Sequence, residues 1–355
     1  MRIAQTGLLY EEPERSTPGY LLIRPVDGDK TFLLDPSGDV AHVWHSHKGM
    51  TNWCYLLPNG NLFVNERCEN RQGVALTASG RMSEYSPDGT LLWTHDDPFQ
   101  HHDTRRLADG AIYAAFTELS EAEKAEIKGG VPGTETDGGP YGEAIRQVNE
   151  AGEVVWEWHY KELGMESHPL HRNANRWSYG HTNTVFPMKD GRFLISSKNL
   201  CLVFIINPKT GAVDWEFQSD EMGGQHDAQM LDNGNVLVFA NGVYAGDLHH
   251  SQVWEIDPKS NEVVWRYKAK DNMTSFFSPH MGGAERLPSG NTLICEGSKG
   301  CIFEVTPEGD IVREFVSPHF VQSELFGSIN WLFRCRWYAP DSPEISTLKS
   351  GGFVQ

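Results

Sequence analysis

The chain is short of positive charge, of long apolar runs and of paired cysteine motifs. Against 48 Asp and Glu stand 30 Lys and Arg, a formal charge of -18. That balance argues against nucleic acid and anionic membrane surfaces as partners, because both repel a strongly negative field. An anionic substrate would therefore need a local basic pocket. The longest apolar run, Leu200 to Ile206, is far too short to span a bilayer. No basic segment followed by an apolar stretch opens the sequence, so no secretory leader is visible. A cytoplasmic location is the expectation, or an exported one if a leader has been trimmed. The six cysteines form no CxxC pair, and Cys201, Cys295 and Cys301 sit in apolar, strand-like contexts. They are expected to be reduced core thiols rather than a disulfide framework or a metal site.

What the sequence has is a repeat. A short turn phrase followed by an alternating run ending in an aromatic residue occurs six times. It reads Asp35-Pro36-Ser37-Gly38 to Trp44, Ser86-Pro87-Asp88-Gly89 to Trp93 and Asn149-Glu150-Ala151-Gly152 to Trp156. It continues as Asn207-Pro208-Lys209-Thr210-Gly211 to Trp215, Asp257-Pro258-Lys259-Ser260-Asn261 to Trp265 and Thr306-Pro307-Glu308-Gly309 to Phe315. Proline presets φ for the second turn position, and Gly or Asn accepts the positive φ that ends the turn. The flanks alternate with period two, as strands do. A second turn phrase precedes most of these hairpins, as in Leu57-Pro58-Asn59-Gly60 and Leu231-Asp232-Asn233-Gly234. Each unit thus reads as four antiparallel strands, one propeller blade.

Six units predict an all-β, six-bladed β-propeller over residues 1–355 as a single domain. The first unit has only three strands, Tyr20 to Arg24, Thr31 to Leu34 and Val40 to Trp44. A closing strand at about 331–342, around Phe333-Arg334-Cys335-Arg336-Trp337, supplies the missing one and hides an open sheet edge. Two inserts break the rhythm: 117–141, expected as a solvated loop, and 161–180, expected to wall a pocket. Trp53, Trp177, Tyr179, Phe276 and Phe277 lie near predicted strand starts, where they could stack on a phenyl ring or simply pack between blades.

Histidines cluster at one position of the unit. Counting eight residues back from the turn glycine of each first strand reaches His102, Asn183, His226, Gly282 and Asn52, with His181 and His280 two residues earlier in their units. The same count back from Ser342 reaches Arg334. Equivalent positions of equivalent strands would bring these residues together around one axis. His101 and Asp103 flank His102 and could orient it. His42, His45, His47, His95, His159, His249, His250 and His319 are expected at surfaces and turns. A single histidine at such a position often serves the backbone alone; several without partners would each cost roughly 1–3 kcal/mol to bury.

The phrases Gln100-His101-His102-Asp103, Gly180-His181-Thr182-Asn183-Thr184, Ile195-Ser196-Ser197-Lys198, Gly224-Gln225-His226-Asp227 and Phe239-Ala240-Asn241-Gly242 resemble the arylsulfotransferase family. The resemblance runs from Gly7 to the closing strand. It implies a six-bladed propeller and transfer of a sulfuryl group from a phenolic sulfate to another phenol without a nucleotide donor. By motif, the family's covalent nucleophile falls on His226, its His-x-Asn pair on His181 and Asn183, and a further histidine on His102. Its sulfate-binding Arg falls where this chain has Lys198, which keeps the charge but lacks the bidentate fork.

The expected machinery is therefore His226, His102, His181 and His280 as catalytic groups, with Asn183, Lys198, Arg334 and Asn52 binding the substrate. The substrates are small aromatics, and no cofactor is required. A different chemistry uses the same residues: His102, His181, His226 and His280 as ligands of a divalent transition metal in a lyase, hydrolase or oxidase. A binding propeller without catalysis is the third alternative. Oligomeric state is not legible.

Overall fold

The computed structural model describes residues 5–48, 53–72, 79–244, 246 and 248–353. The protein is an all-β, six-bladed β-propeller, with each blade a four-stranded antiparallel sheet. Contacts divide the chain into two compact units, 1–67 with 81–95 and 278–355, and 68–80 with 96–277.

The first unit holds three blades. Blade one pairs the closing strand Leu332–Tyr338 with Tyr20–Pro25, followed by Lys30–Leu34 and Val40–His45. The register Leu21↔Trp337 and Ile23↔Cys335 shows the C-terminal strand completing this blade. Blade two, of which Gly80 and Asp96 fall to the second unit, runs Cys54–Leu56, Leu62–Arg67, Gly80–Tyr85 and Leu91–Asp96. Blade six runs Gly283–Arg286, Thr292–Glu296, Cys301–Val305 and Ile311–Val316, and the N-terminal segment Gly7–Glu11 adds a fifth strand along its outer edge. That strand was not anticipated; it covers an edge that would otherwise expose unpaired backbone groups.

The second unit holds blade three (Gln100–Leu107, Gly110–Thr117, Gly142–Asn149, Val154–His159), blade four (Thr182–Pro187, Phe193–Ser197, Leu202–Ile206, Val213–Gln218) and blade five (His226–Met230, Val236–Ala240, Gln252–Asp257, Glu262–Tyr267). Leu202–Ile206 is buried on both faces, whereas the outer strand Val213–Gln218 alternates between part-buried and exposed positions. Ile112, Ile145, Trp158, Ile195 and Phe204 pack blade three on blade four. Leu194, Val203, Val236 and Trp254 pack four on five.

The turn phrases do what their chemistry predicts. Gly38, Gly89, Gly152 and Gly309 each donate N–H to the carbonyl three residues earlier. The aromatic that ends the repeat reaches across to the next blade's turn. Trp44 Nε1 donates to Ser86 O at 3.1 Å, Trp156 Nε1 to Pro208 O at 3.1 Å and Trp215 Nε1 to Asn261 Oδ1 at 2.7 Å. The repeat thus ties each of these blades to its successor within its unit, at about 1 kcal/mol per bond.

The insert at 117–141 is not simply a solvated loop. It opens with a helix, Glu121–Glu126, whose Ser120 and Glu123 form a reciprocal capping box. It is then pinned to the second insert: Val131 N–H donates to Ala174 O, and Arg176 Nε reaches Glu135 Oε1 at 2.6 Å. Ile127 is the physical reason, an apolar side chain buried with Leu163 and Leu170. His42 is also not a surface residue; it is fully buried, with its ring 4.1 Å from Trp44 and Nε2 2.9 Å from Pro87 O. The six cysteines are buried and unbridged. No helix of the described residues is long and apolar enough to cross a membrane.

Candidate active site

Three first strands of the second unit are irregular at the same end. Blade three carries a bulge between His101 and Thr104, blade four at Asn183, and blade five between His226 and Gln229. Beside each bulge a non-glycine residue takes positive φ: His102 at 50°, His181 at 57° and Asp227 at 54°. Bulges re-aim side chains, and backbone strain of this kind costs about 1–3 kcal/mol per residue. The strands are bent where their histidines emerge.

His226 is buried, and its Nδ1 lies 2.7 Å from Asn241 Oδ1. An amide oxygen can only accept, so Nδ1 donates, and in the neutral ring Nε2 is the nitrogen with the lone pair. The residues behind it are fixed by hydrogen bonds. Gln225 Nε2 donates to Ser196 Oγ, Ser197 O and Leu202 O at 2.9–3.1 Å. Asn183 Nδ2 donates to Gln225 O at 2.6 Å, so Asn183 holds the backbone that carries His226.

His181 is buried, and its imidazole is pushed well below its ordinary pKa, first by desolvation and then by Lys198, His102, His101 and His226 nearby. It is neutral at pH 7. Its ring centroid is 4.6 Å from that of His102. His102 Nδ1 in turn meets His101 Nδ1 at 2.8 Å. His101 is stacked on Phe116 at 4.0 Å, and burial lowers its pKa to about 3. The Asp103 carboxylate accepts from Val185 N–H at 2.8 Å and pairs with Arg105 at 3.3 Å.

Lys198 follows the strand Phe193–Ser197, and its N–H donates to His181 O at 3.1 Å. Its Nζ lies 5.7 Å from the Tyr244 ring, whose other partner is the stacked His171 at 4.9 Å. His171 belongs to the second insert. Part of Lys198's surface is open, yet protein surrounds it on nearly all sides, and desolvation lowers its ammonium to about 8. Gly224 makes room for it: a Cβ there would stand 3.3 Å from Lys198 Cγ and 3.2 Å from Tyr244.

The remaining expected residues lie elsewhere in the chain. His280 is exposed on the loop before blade six, and Arg334 is buried on the closing strand with its guanidinium 4.8 Å from the Trp53 ring. Both belong to the first unit, while His102, His181, His226, Asn183 and Lys198 belong to the second. Asn52 lies outside the described residues. Tyr179 and Phe276 are buried core residues rather than open platforms. Among the described residues, no group of three or more His, Cys, Asp or Glu is placed to hold a metal ion. A groove of about 640 Å³ in the second unit lies at the opposite strand ends around Met188, Trp215 and Met230, away from the histidines.

Sequence reasoning missed Glu143. This carboxylate is buried beneath the histidines and accepts from Ser178 Oγ at 2.8 Å, His181 N–H at 2.5 Å, and Thr182 N–H and Oγ1 at 2.6 Å. Desolvation raises its pKa to about 7 against the lowering effect of these bonds. A signal existed: a carboxylate at the start of the strand Gly142–Asn149, followed directly by Ala144 and Ile145. Asn241 was quoted within a phrase but given no role.

Comparison with known proteins agrees with this architecture. The sequence profile of the Arylsulfotransferase (ASST) family matches residues 94–317, and the chain belongs to that family. Membership points to sulfuryl transfer in general terms. No curated protein matches the sequence. Among solved structures, a protein of unknown function from Bacteroides caccae is similar, with TM-score 0.56, 17% identity, and coverage of 90% of this chain and 98% of that one. A periplasmic gluconolactonase from Pseudomonas aeruginosa gives TM-score 0.48 at 14% identity, covering 91% and 99%. Virginiamycin B lyase from Staphylococcus aureus gives 0.44 at 12%, covering 89% and 86%. At these identities the likeness to the Bacteroides protein speaks to fold alone.

Proposed function

We propose that this protein transfers a sulfuryl group from an aryl sulfate to a phenolic acceptor through a sulfohistidine on His226. The observation that carries this reading is the bond from His226 Nδ1–H to Asn241 Oδ1 at 2.7 Å, which leaves a buried Nε2 lone pair as nucleophile. Nε2 attacks sulfur, the S–O bond to the aryl group breaks, and the electron pair leaves on the phenolate oxygen. The phenolate leaves as the anion and takes its proton from solvent, so His102 Nε2 keeps its lone pair for the acceptor step. The acceptor phenol then attacks sulfur and gives its proton to His102 Nε2. The N–S bond breaks and its electron pair returns to His226.

Lys198 supplies positive charge for the sulfuryl oxygens, in a chain whose net charge of -18 offers none at long range. Neutral His181 offers a donor without adding a competing charge. Asn183 acts through Gln225, holding His226 in place rather than binding the substrate. The chemistry calls for no metal or other cofactor, and its kinetics are ping-pong.

The test is incubation with p-nitrophenyl sulfate and no acceptor, followed by peptide mass analysis. A gain of one SO3 on the His226 peptide, discharged by added phenol, is expected. No mass gain at His226, or a stoichiometric transition metal in the wild type that is lost in His226→Ala, would overturn the reading.

A further inference from the structure

We infer that Glu143, through His101, sets the protonation pattern of His102, making a three-residue Glu143–His101–His102 relay whose outer nitrogen, His102 Nε2, is delivered as the proton acceptor. The part this plays in turnover rests on the sulfuryl-transfer reading; the proton positions themselves do not.

The inference starts from hydrogen-bond arithmetic. His101 and His102 face each other Nδ1 to Nδ1 at 2.8 Å, so one of the two nitrogens is protonated and the other is bare. The choice is made at the far side of His101. Its Nε2 is buried without a hydrogen-bond partner and stands 3.8 Å from Glu143 Oε2. Four protein donors converge on the two oxygens of Glu143, which is the complement of a carboxylate. A bare Nε2 would set its lone pair against that carboxylate in a buried site. A protonated Nε2 points a positive dipole at it instead. His101 therefore carries its proton on Nε2, its Nδ1 accepts, and His102 donates from Nδ1. His102 Nε2 is left bare.

The surroundings hold this arrangement still. Phe116 stacks on His101 at an interplanar angle of 20°. Glu143 also binds the backbone N–H of His181 and Thr182, so one carboxylate ties the third strand of blade three to the first strand of blade four. When His102 takes the acceptor's proton and becomes an imidazolium, its Nδ1–H stays bonded to His101 Nδ1, with the Glu143 carboxylate facing the far side of His101. The residue is a positioning residue; it touches no substrate.

The experiment is a long-range proton–nitrogen NMR spectrum of the full chain with 15N-labelled histidine at pH 8, where Glu143 is ionised. His101→Gln and His102→Gln variants assign the ring signals. The expected pattern is protonated Nε2 and bare Nδ1 for His101, with the reverse for His102. A His101 protonated on Nδ1 would overturn the inference. In Glu143→Gln the pattern is expected to invert for both rings while His226 stays protonated on Nδ1. An unchanged pattern in a folded Glu143→Gln would also overturn it. If that variant does not fold, the wild-type spectrum decides alone. Failure of the sulfuryl-transfer reading is seen separately, as the missing SO3 on His226.

Discussion

Replacing Asn241 with Ala isolates the contact on which the proposed nucleophile depends. Asn241 is fully buried, and its side-chain oxygen stands 2.7 Å from His226 Nδ1. Its loss leaves a buried N–H without that acceptor, a cost of about 1–3 kcal/mol in unfolding free energy. It also removes the bias toward the tautomer with a bare Nε2. If the bias equals one net hydrogen bond, about 1–1.5 kcal/mol, sulfohistidine formation slows roughly tenfold. Two assays separate the effects: urea unfolding for stability, and a single-turnover burst of p-nitrophenolate for chemistry. Asn241→Asp keeps an oxygen facing Nδ1 and is expected to recover most of the burst rate. An Asn241→Ala protein with wild-type burst rate and wild-type stability would refute the assignment of His226 as a tautomer-selected nucleophile.

Three further outcomes are expected. The lowered pKa of His101, about 3 in the fold against an ordinary 6.5, means that its contribution to stability is complete above pH 6.5 and is lost as pH falls toward 3. The loss reaches about 5 kcal/mol, and His101→Asn should flatten this acid limb in urea midpoints measured from pH 7 to 4. Glu143 runs the other way: with a pKa raised from 4.5 to about 7, it favours folding below pH 4.5 and loses about 3 kcal/mol as pH rises through 7, so Glu143→Gln should be most stabilising, relative to wild type, at pH 8. Trp215→Phe removes the bond to Asn261 and should cost about 1 kcal/mol in unfolding free energy without altering the burst amplitude.

The blades were legible in the sequence because a blade is a local object. The turn phrases, Asp35-Pro36-Ser37-Gly38 and its kin, dictate their own hydrogen bonds, and period-two alternation needs only neighbouring residues. The closing strand was legible for a related reason: the first unit lacked a strand that only the C-terminus could provide, and Leu332–Tyr338 pairs with Tyr20–Pro25 accordingly. The first-strand histidines His102, His181 and His226 could be named because a repeat fixes register. What the repeat could not foresee was Gly7–Glu11 joining blade six, since nothing in five residues encodes a partner some 300 residues away.

The sequence by itself determined the array of hairpins, the family, and which histidines share one strand position. The tertiary structure decided their states. His226 donates from Nδ1 because Asn241, just past the neighbouring strand, offers an oxygen. Asn183 donates to Gln225 O, and Asp103 accepts from Val185 N–H on the next blade. Glu143 matters because folding buries it beneath His101 and His181, in a place the linear order of residues does not mark. Periodicity reports which face a side chain takes, a property of the strand alone. Protonation depends on burial and on the two or three polar atoms within hydrogen-bonding reach, and those come from strands that meet only in the folded chain.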